Sequence, residues 1–148
     1  MGLTGSILRK KQFLSFKETK TISIKILLSL GYNVKSWNED FTGKDYCSIS
    51  VQKNDNSWFV MYIYREENLA DEYNFSHISS DLTRVIDIED ISEVEDMVLN
   101  FLKEYFRYYP NDYFDNEHDW YYTKDDIDTA FKNNNYYKWC YKATNKKL

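Results

Sequence analysis

Two apolar runs, DYCSISVQ at 45–52 and SWFVMYIYRE at 57–66, flank the polar tetrapeptide Lys53-Asn54-Asp55-Asn56. Asn and Asp tolerate positive φ and close tight turns, so this pattern predicts a β-hairpin. Its second arm, WFVMYIY, is nearly continuous in β-branched and aromatic side chains. That is the composition of a central strand covered on both faces, and it obliges the rest of the chain to supply neighbouring strands and a covering layer.

The neighbours are legible on either side. YNVKSW at 32–37 reads as a strand followed by the turn NEDFTGK; LTRVIDIED at 82–90 reads as another, with Val85, Ile86 and Ile88 as its apolar members. FSHIS at 75–79 is a further strand candidate within an irregular stretch.

The covering layer comes from helical periodicity. Residues 18–30 place Ile22, Ile26, Leu27 and Leu30 on one helical face, with Gly31 at the C-cap. Residues 92–109 open on Ser92 and Glu95 in capping-box spacing. They then carry Val94, Met97, Val98, Phe101, Leu102, Tyr105 and Tyr108/Tyr109 as one stripe up to Pro110. Thr123 with Asp126 forms a second N-cap pair, and Tyr122 with Ile127 has hydrophobic-staple spacing, so KDDIDTAFK is a short helix. YYKWCYK at 136–142 reads as a terminal strand or an aromatic flap.

These elements predict an α+β fold: a small, mostly antiparallel sheet of about four to five strands with the helices 18–30 and 92–109 packed on one face. At 148 residues the chain has the length of one domain, large enough to close a core without metals or disulfides. The expected organisation is a basic N-terminal arm over 1–16 with a short helix after Ser6, a single α+β domain over 17–142 and a frayed tail over 143–148. No apolar run reaches the roughly 18 residues of a spanning helix, and the N-terminus lacks the order of a secretory signal. The expectation is a cytoplasmic protein with no membrane partner. Met1 to Ser6 also fit the short M-G-x-x-x-[ST] acylation pattern, with Arg9, Lys10 and Lys11 as the second, electrostatic signal. Cys47 and Cys140 are too few and too far apart for a disulfide framework or a zinc site and read as buried thiols.

Charge is unevenly placed. Residues 1–35 carry seven Lys/Arg against one Glu, residues 36–135 carry eight against 23 acids, and residues 136–148 carry four lysines. An acidic middle steers cationic partners and repels nucleic acid, so no direct nucleic-acid binding is expected. The abundance of Asn, Lys, Tyr and Ile suggests a low-GC bacterial or phage source.

Catalytic signatures are sparse. There is no glycine-rich phosphate loop, and His77 and His118 have no serine or cysteine partner motif nearby in sequence. Asp112, Asp115, Glu117, His118 and Asp119 lack the sixth-position Gly and terminal Glu of a calcium loop, and zinc would want a second histidine at helical spacing. Neither a metal nor a cofactor is expected. The order LGYNVKSW, GKDYCSISVQ, SWFVMYIYRE resembles the opening of the PD-(D/E)XK nuclease-like fold, in which a helix ending in glycine precedes a strand, an acid and a hairpin. That resemblance implies nucleic-acid chemistry with Asp45 as the first metal-binding acid. The departure is that Val60 to Tyr64 hold neither acid nor lysine, while Arg65, Glu66 and Glu67 arrive only at the strand end. A shared fold therefore implies a degenerate site.

One stretch stands apart. YYPNDYFDNEHDWYY at 108–122 concentrates seven aromatic side chains and four acids between two helices. Rings give desolvated anchors and carboxylates give steering, a composition suited to meeting a basic surface. The expected contact residues are Asp112, Tyr113, Phe114, Asp115, Glu117, Asp119, Trp120 and Tyr121. The functional expectation is a non-enzymatic, acidic, protein-binding inhibitor, of the kind encoded as immunity proteins or phage products, covering a basic toxin or nucleic-acid-acting protein. The alternative is a degenerate nuclease-like core. Exposed aromatic strands would equally serve a homodimer.

Overall fold

The computed structural model describes residues 3–37, 46–65, 81–116, 120–133, 138–141 and 144. Within them the chain runs β1 (Gly5–Lys10), a 3-10 turn (Lys11–Phe13), α1 (Phe16–Ser29), β2 (Asn33–Trp37), β3 (Tyr46–Asn54), β4 (Ser57–Tyr64) and β5 (Leu82–Glu89). It continues through α2 (Glu95–Tyr108), β6 (Tyr113–Asp115), β7 (Tyr121–Tyr122), α3 (Lys124–Lys132) and a second 3-10 turn (Trp139–Tyr141). The strands form one sheet in the order β2-β3-β4-β5-β1-β6-β7, every pair antiparallel.

The α+β class is as expected, but the sheet has seven strands among the described residues rather than four to five. The extra members are GSILRK and the short YFD and YY runs. Residues 5–10 therefore form no helix: they are a strand inserted between β5 and β6. Backbone pairing on both edges outweighs the arm-like composition, and Gly5 makes room, because a Cβ there would overlap the Phe114 ring.

The hairpin β3-β4 forms as predicted, with the Asn54 side-chain oxygen accepting the Asn56 N–H at 2.9 Å. β4 is central, but its two faces differ. Phe59, Met61 and Ile63 are fully buried towards the helices, whereas Trp58, Val60 and Tyr62 keep exposed surface on the other side. The faces alternate as they do in a half-buried strand.

α1 ends in a Schellman arrangement. Gly31 takes φ of 83°, Tyr32 N–H reaches Leu27 O at 3.2 Å and Gly31 N–H reaches Leu28 O at 3.0 Å. The Ser92–Glu95 capping box is not formed: Glu93 sits at φ of 74°, α2 starts at Glu95, and Ser92 Oγ instead accepts Leu3 N–H at 3.1 Å. The Thr123–Asp126 box is formed, with Asp126 Oδ2 accepting Thr123 N–H at 2.9 Å. α2 buries Met97, Val98, Leu99, Phe101, Leu102, Tyr105 and Phe106, a broader arc than one stripe, because α1 and α3 both pack on it.

Helices and sheet meet in one core that joins Ile7, Ile49, Met61 and Ile86 to Leu27, Phe101 and Ile127. The tail residues Trp139 and Cys140 belong to this core as a 3-10 turn, not a strand; Trp139 Nε1–H donates to Glu95 O at 2.8 Å. Thr144 is the described residue of the expected frayed tail, its hydroxyl donating to Tyr121 O at 2.9 Å.

β5 carries a bulge. Ile7 pairs with Ile86 but Leu8 pairs with Arg84, leaving Val85 as the extra residue. Residues three apart on a regular strand point to opposite faces. The bulge brings Arg84 and Asp87 to the same, helix-free face, where they form an ion pair of 2.6 Å.

Candidate functional site

The aromatic and acidic stretch 108–122 is divided by the fold into three environments. Its first part is set by Pro110, which cannot continue α2 and occupies the second position of a tight turn closed by Asp112 N–H on Tyr109 O at 3.2 Å. The turn folds Asp112 back beneath the helix end. There it meets Arg9, which β1 directs towards α1 and α2.

Arg9 Nε–H donates to both Asp112 oxygens at 3.2 and 3.1 Å, Nη1 donates to Thr19 Oγ1 at 2.9 Å and Nη2 donates to Tyr105 Oη at 2.7 Å. Tyr105 passes its own proton donation to Asp112 Oδ2 at 2.8 Å. The guanidinium lies 3.9 Å from the Tyr109 ring centroid. Arg9 is 3% exposed and Asp112 4%. Burial opposes the Arg9 charge, yet Tyr105 and Asp112 hold its pKa above the ordinary value. Burial pushes the Asp112 carboxyl up to about 6 against the lowering effect of Arg9 and Tyr105. Tyr105 is pushed well above the usual phenol range, by burial first and the Asp112 charge second.

This ion pair floors a two-lobed groove. The lobe on the α1 side, about 420 Å³, is walled by Phe13, Ser15, Glu18, Tyr108, Tyr109 and Pro110. The other, about 320 Å³, runs past Lys10 and Asn111 to Tyr113 and Thr123. Phe13 is 60% exposed and Tyr108 46%, so two large rings stand at the mouth. Tyr109 Oη donates to Glu18 Oε1 at 2.9 Å, and burial together with that carboxylate raises the Tyr109 pKa to about 12.

The second part of the stretch is core. Phe114 has no exposed surface and packs in a three-ring cluster with Tyr122 and Trp139, with centroids at 6.1 and 5.6 Å. Asn116 is also fully buried, its amide donating to Cys140 O at 2.5 Å. The third part is surface. Tyr113 and Tyr121 meet edge-to-face at 5.5 Å on the helix-free side of the β6-β7 hairpin, with Asp115 opposite Tyr121 in register; all three are partly exposed.

The expected contact residues therefore separate. Asp112 and Phe114 face inward: one is bound to Arg9 and the other is packed in the core. Tyr113, Asp115 and Tyr121 share a surface, while Trp120 leans on the core with its Nε1–H on Tyr122 Oη at 2.6 Å. Glu117 and Asp119 lie outside the described residues. Sequence reading missed Arg9, Phe13, Thr19, Glu18 and Tyr105 as members of one site. The only sequence signal was the coincidence of an arginine in a short β-capable run with an acid after a Pro turn.

No described group of three or more His, Cys, Asp or Glu could hold a metal ion. His77, His118 and the nuclease-type candidates Asp45, Glu66 and Glu67 lie outside the described residues. Cys140 is a poor nucleophile, because burial, with Glu95 nearby, raises its thiol to about 12. No described helix is long and apolar enough to cross a membrane. Comparison with protein-family models, curated proteins and solved structures gives no match.

Proposed function

We propose that the chain is a non-enzymatic protein-binding protein that covers a basic surface of its partner, an inhibitor of a toxin or a nucleic-acid-acting protein. The observation that carries this reading is the Tyr113–Tyr121 pair beside Asp115: paired rings left partly in solvent while their sequence neighbours Phe114 and Tyr122 fill the core. Rings spend little conformational entropy on binding, and a flanking carboxylate selects cationic partners. The acid surplus of residues 36–135 adds long-range steering of the same sign.

The test is retention of a partner from lysate of the source organism on the immobilised chain. A basic protein held in stoichiometric amount, released by raised salt, and lost with Asp115→Lys and Tyr121→Ala is the expected result. Full retention by both variants overturns the assignment of this surface.

A further inference from the structure

We propose that the α1-side lobe of the groove receives an arginine or lysine side chain of a partner protein, held between the Phe13 and Tyr108 rings with the Glu18 carboxylate as its counter-charge. This deepens the protein-binding reading and rests on it, adding a second, deeper contact.

Three observations converge on a cation. The first is charge. Among the walls and floor of this lobe, Arg9 and Asp112 neutralise each other through their ion pair, which leaves Glu18 as the residual charge. Glu18 accepts the Tyr109 hydroxyl and makes no ion pair among the described residues. The adjoining lobe has Lys10 instead of Glu18, so the sign reverses along the groove. A cation is favoured at one end, and backbone carbonyls or an acid at the other.

The second is the wall. Phe13 comes from the 3-10 turn and Tyr108 from the end of α2, both line this lobe, and both rings remain open to solvent. Exposed aromatic faces beside a carboxylate form the recognition unit for guanidinium and ammonium groups, whose charge is attracted to the ring face.

The third is internal precedent. The lobe already holds one such contact, Arg9 on Tyr109 at 3.9 Å, and Lys25 approaches the Tyr108 centroid to 5.9 Å as an intramolecular competitor. A neutral apolar occupant would desolvate Glu18 without replacing its water, and an anion would be repelled by it.

The experiment titrates the whole chain with the peptides acetyl-Gly-Arg-Gly-amide, its citrulline counterpart and its glutamate counterpart, following backbone amide NMR shifts. The arginine peptide is expected to give saturable shifts centred on Phe13, Glu18 and Tyr108. The neutral citrulline peptide should bind about tenfold more weakly, and Glu18→Gln and Phe13→Ala should each weaken the arginine peptide about tenfold. Both positions are exposed, and an unchanged amide spectrum elsewhere verifies that each variant is folded. Shifts that are absent, equal for arginine and citrulline, stronger for glutamate, or unaffected by Glu18→Gln overturn the proposal. Retention of a basic partner together with absent peptide binding removes this lobe and leaves the protein-binding reading standing. Peptide binding with no partner retained does the reverse.

Discussion

Two arginine–aspartate pairs sit on opposite faces of the same sheet, and they are built from the same four parts. On the helix side, Arg9 meets Asp112, Tyr105 donates to the carboxylate, and the Tyr109 ring lies under the guanidinium. On the helix-free side, Arg84 meets Asp87, Tyr64 donates to the carboxylate, and the Tyr64 ring lies 5.0 Å from the guanidinium. The difference is reach. Arg9 and Asp112 are 103 residues apart and tie β1, α1, α2 and the Pro110 turn together. Arg84 and Asp87 are three apart on one bulged strand, with Ser6 and Tyr64 as outside donors. One pair holds elements in place; the other corrects the charge of a strand already held. Similar local chemistry thus has different structural weight.

The largest expected effect is Arg9→Ala, which strands the buried Asp112 and releases Thr19 and Tyr105; urea unfolding should show a loss of about 3–5 kcal/mol. A loss no greater than that of Arg84→Ala would break the comparison. Next is pH. The folded Asp112 pKa of about 6 lies above the ordinary value of 3.8, so the native state keeps a proton that the unfolded chain gives up. Stability should therefore fall as pH rises from about 4 to about 6, by about 3 kcal/mol, and then level off. In Asp112→Asn that slope should disappear, as a pH series of denaturation curves would reveal. Arg84→Ala is expected to cost about 2 kcal/mol, because Asp87 keeps the Ser6 and Tyr64 hydroxyls. The smallest effect belongs to the double replacement Arg9→Met with Asp112→Leu. Removing both charges together should change stability by only about 1 kcal/mol, so the double-mutant coupling energy sharpens how much of the single loss is a stranded charge.

Much of the fold was legible where the signal is local. The β3-β4 hairpin, α1 with its Gly31 terminus and the Thr123–Asp126 cap each depend on residues within one turn or ladder. The failures share a cause. GSILRK reads as a basic arm because Arg9 looks solvated until Asp112 is placed beside it, and no pattern within ten residues of either reveals the pairing. Phe114 reads as a surface anchor because its neighbours are acids; its burial follows from the glycine at position 5, which lets the ring lie against β1. Likewise Ser92 and Glu95 have capping-box spacing, but the backbone of Leu3 takes the hydroxyl first. The candidate groove was half visible, in Tyr108 to Asp112. Its other wall, Phe13 and Glu18, belongs to a segment more than 90 residues earlier.

The placement of β1 also orders events in time. Its partners β5 and β6 are synthesised some 75 and 105 residues after it. On the ribosome β1 therefore emerges without either neighbour, and the middle of the sheet cannot zip until β5 has left the exit tunnel. Such long-range pairing makes closure slow relative to helix and hairpin formation. The hairpin β3-β4 and the helix α1 can form while translation continues, whereas seating Arg9 between Thr19 and Asp112 must wait for the Pro110 turn.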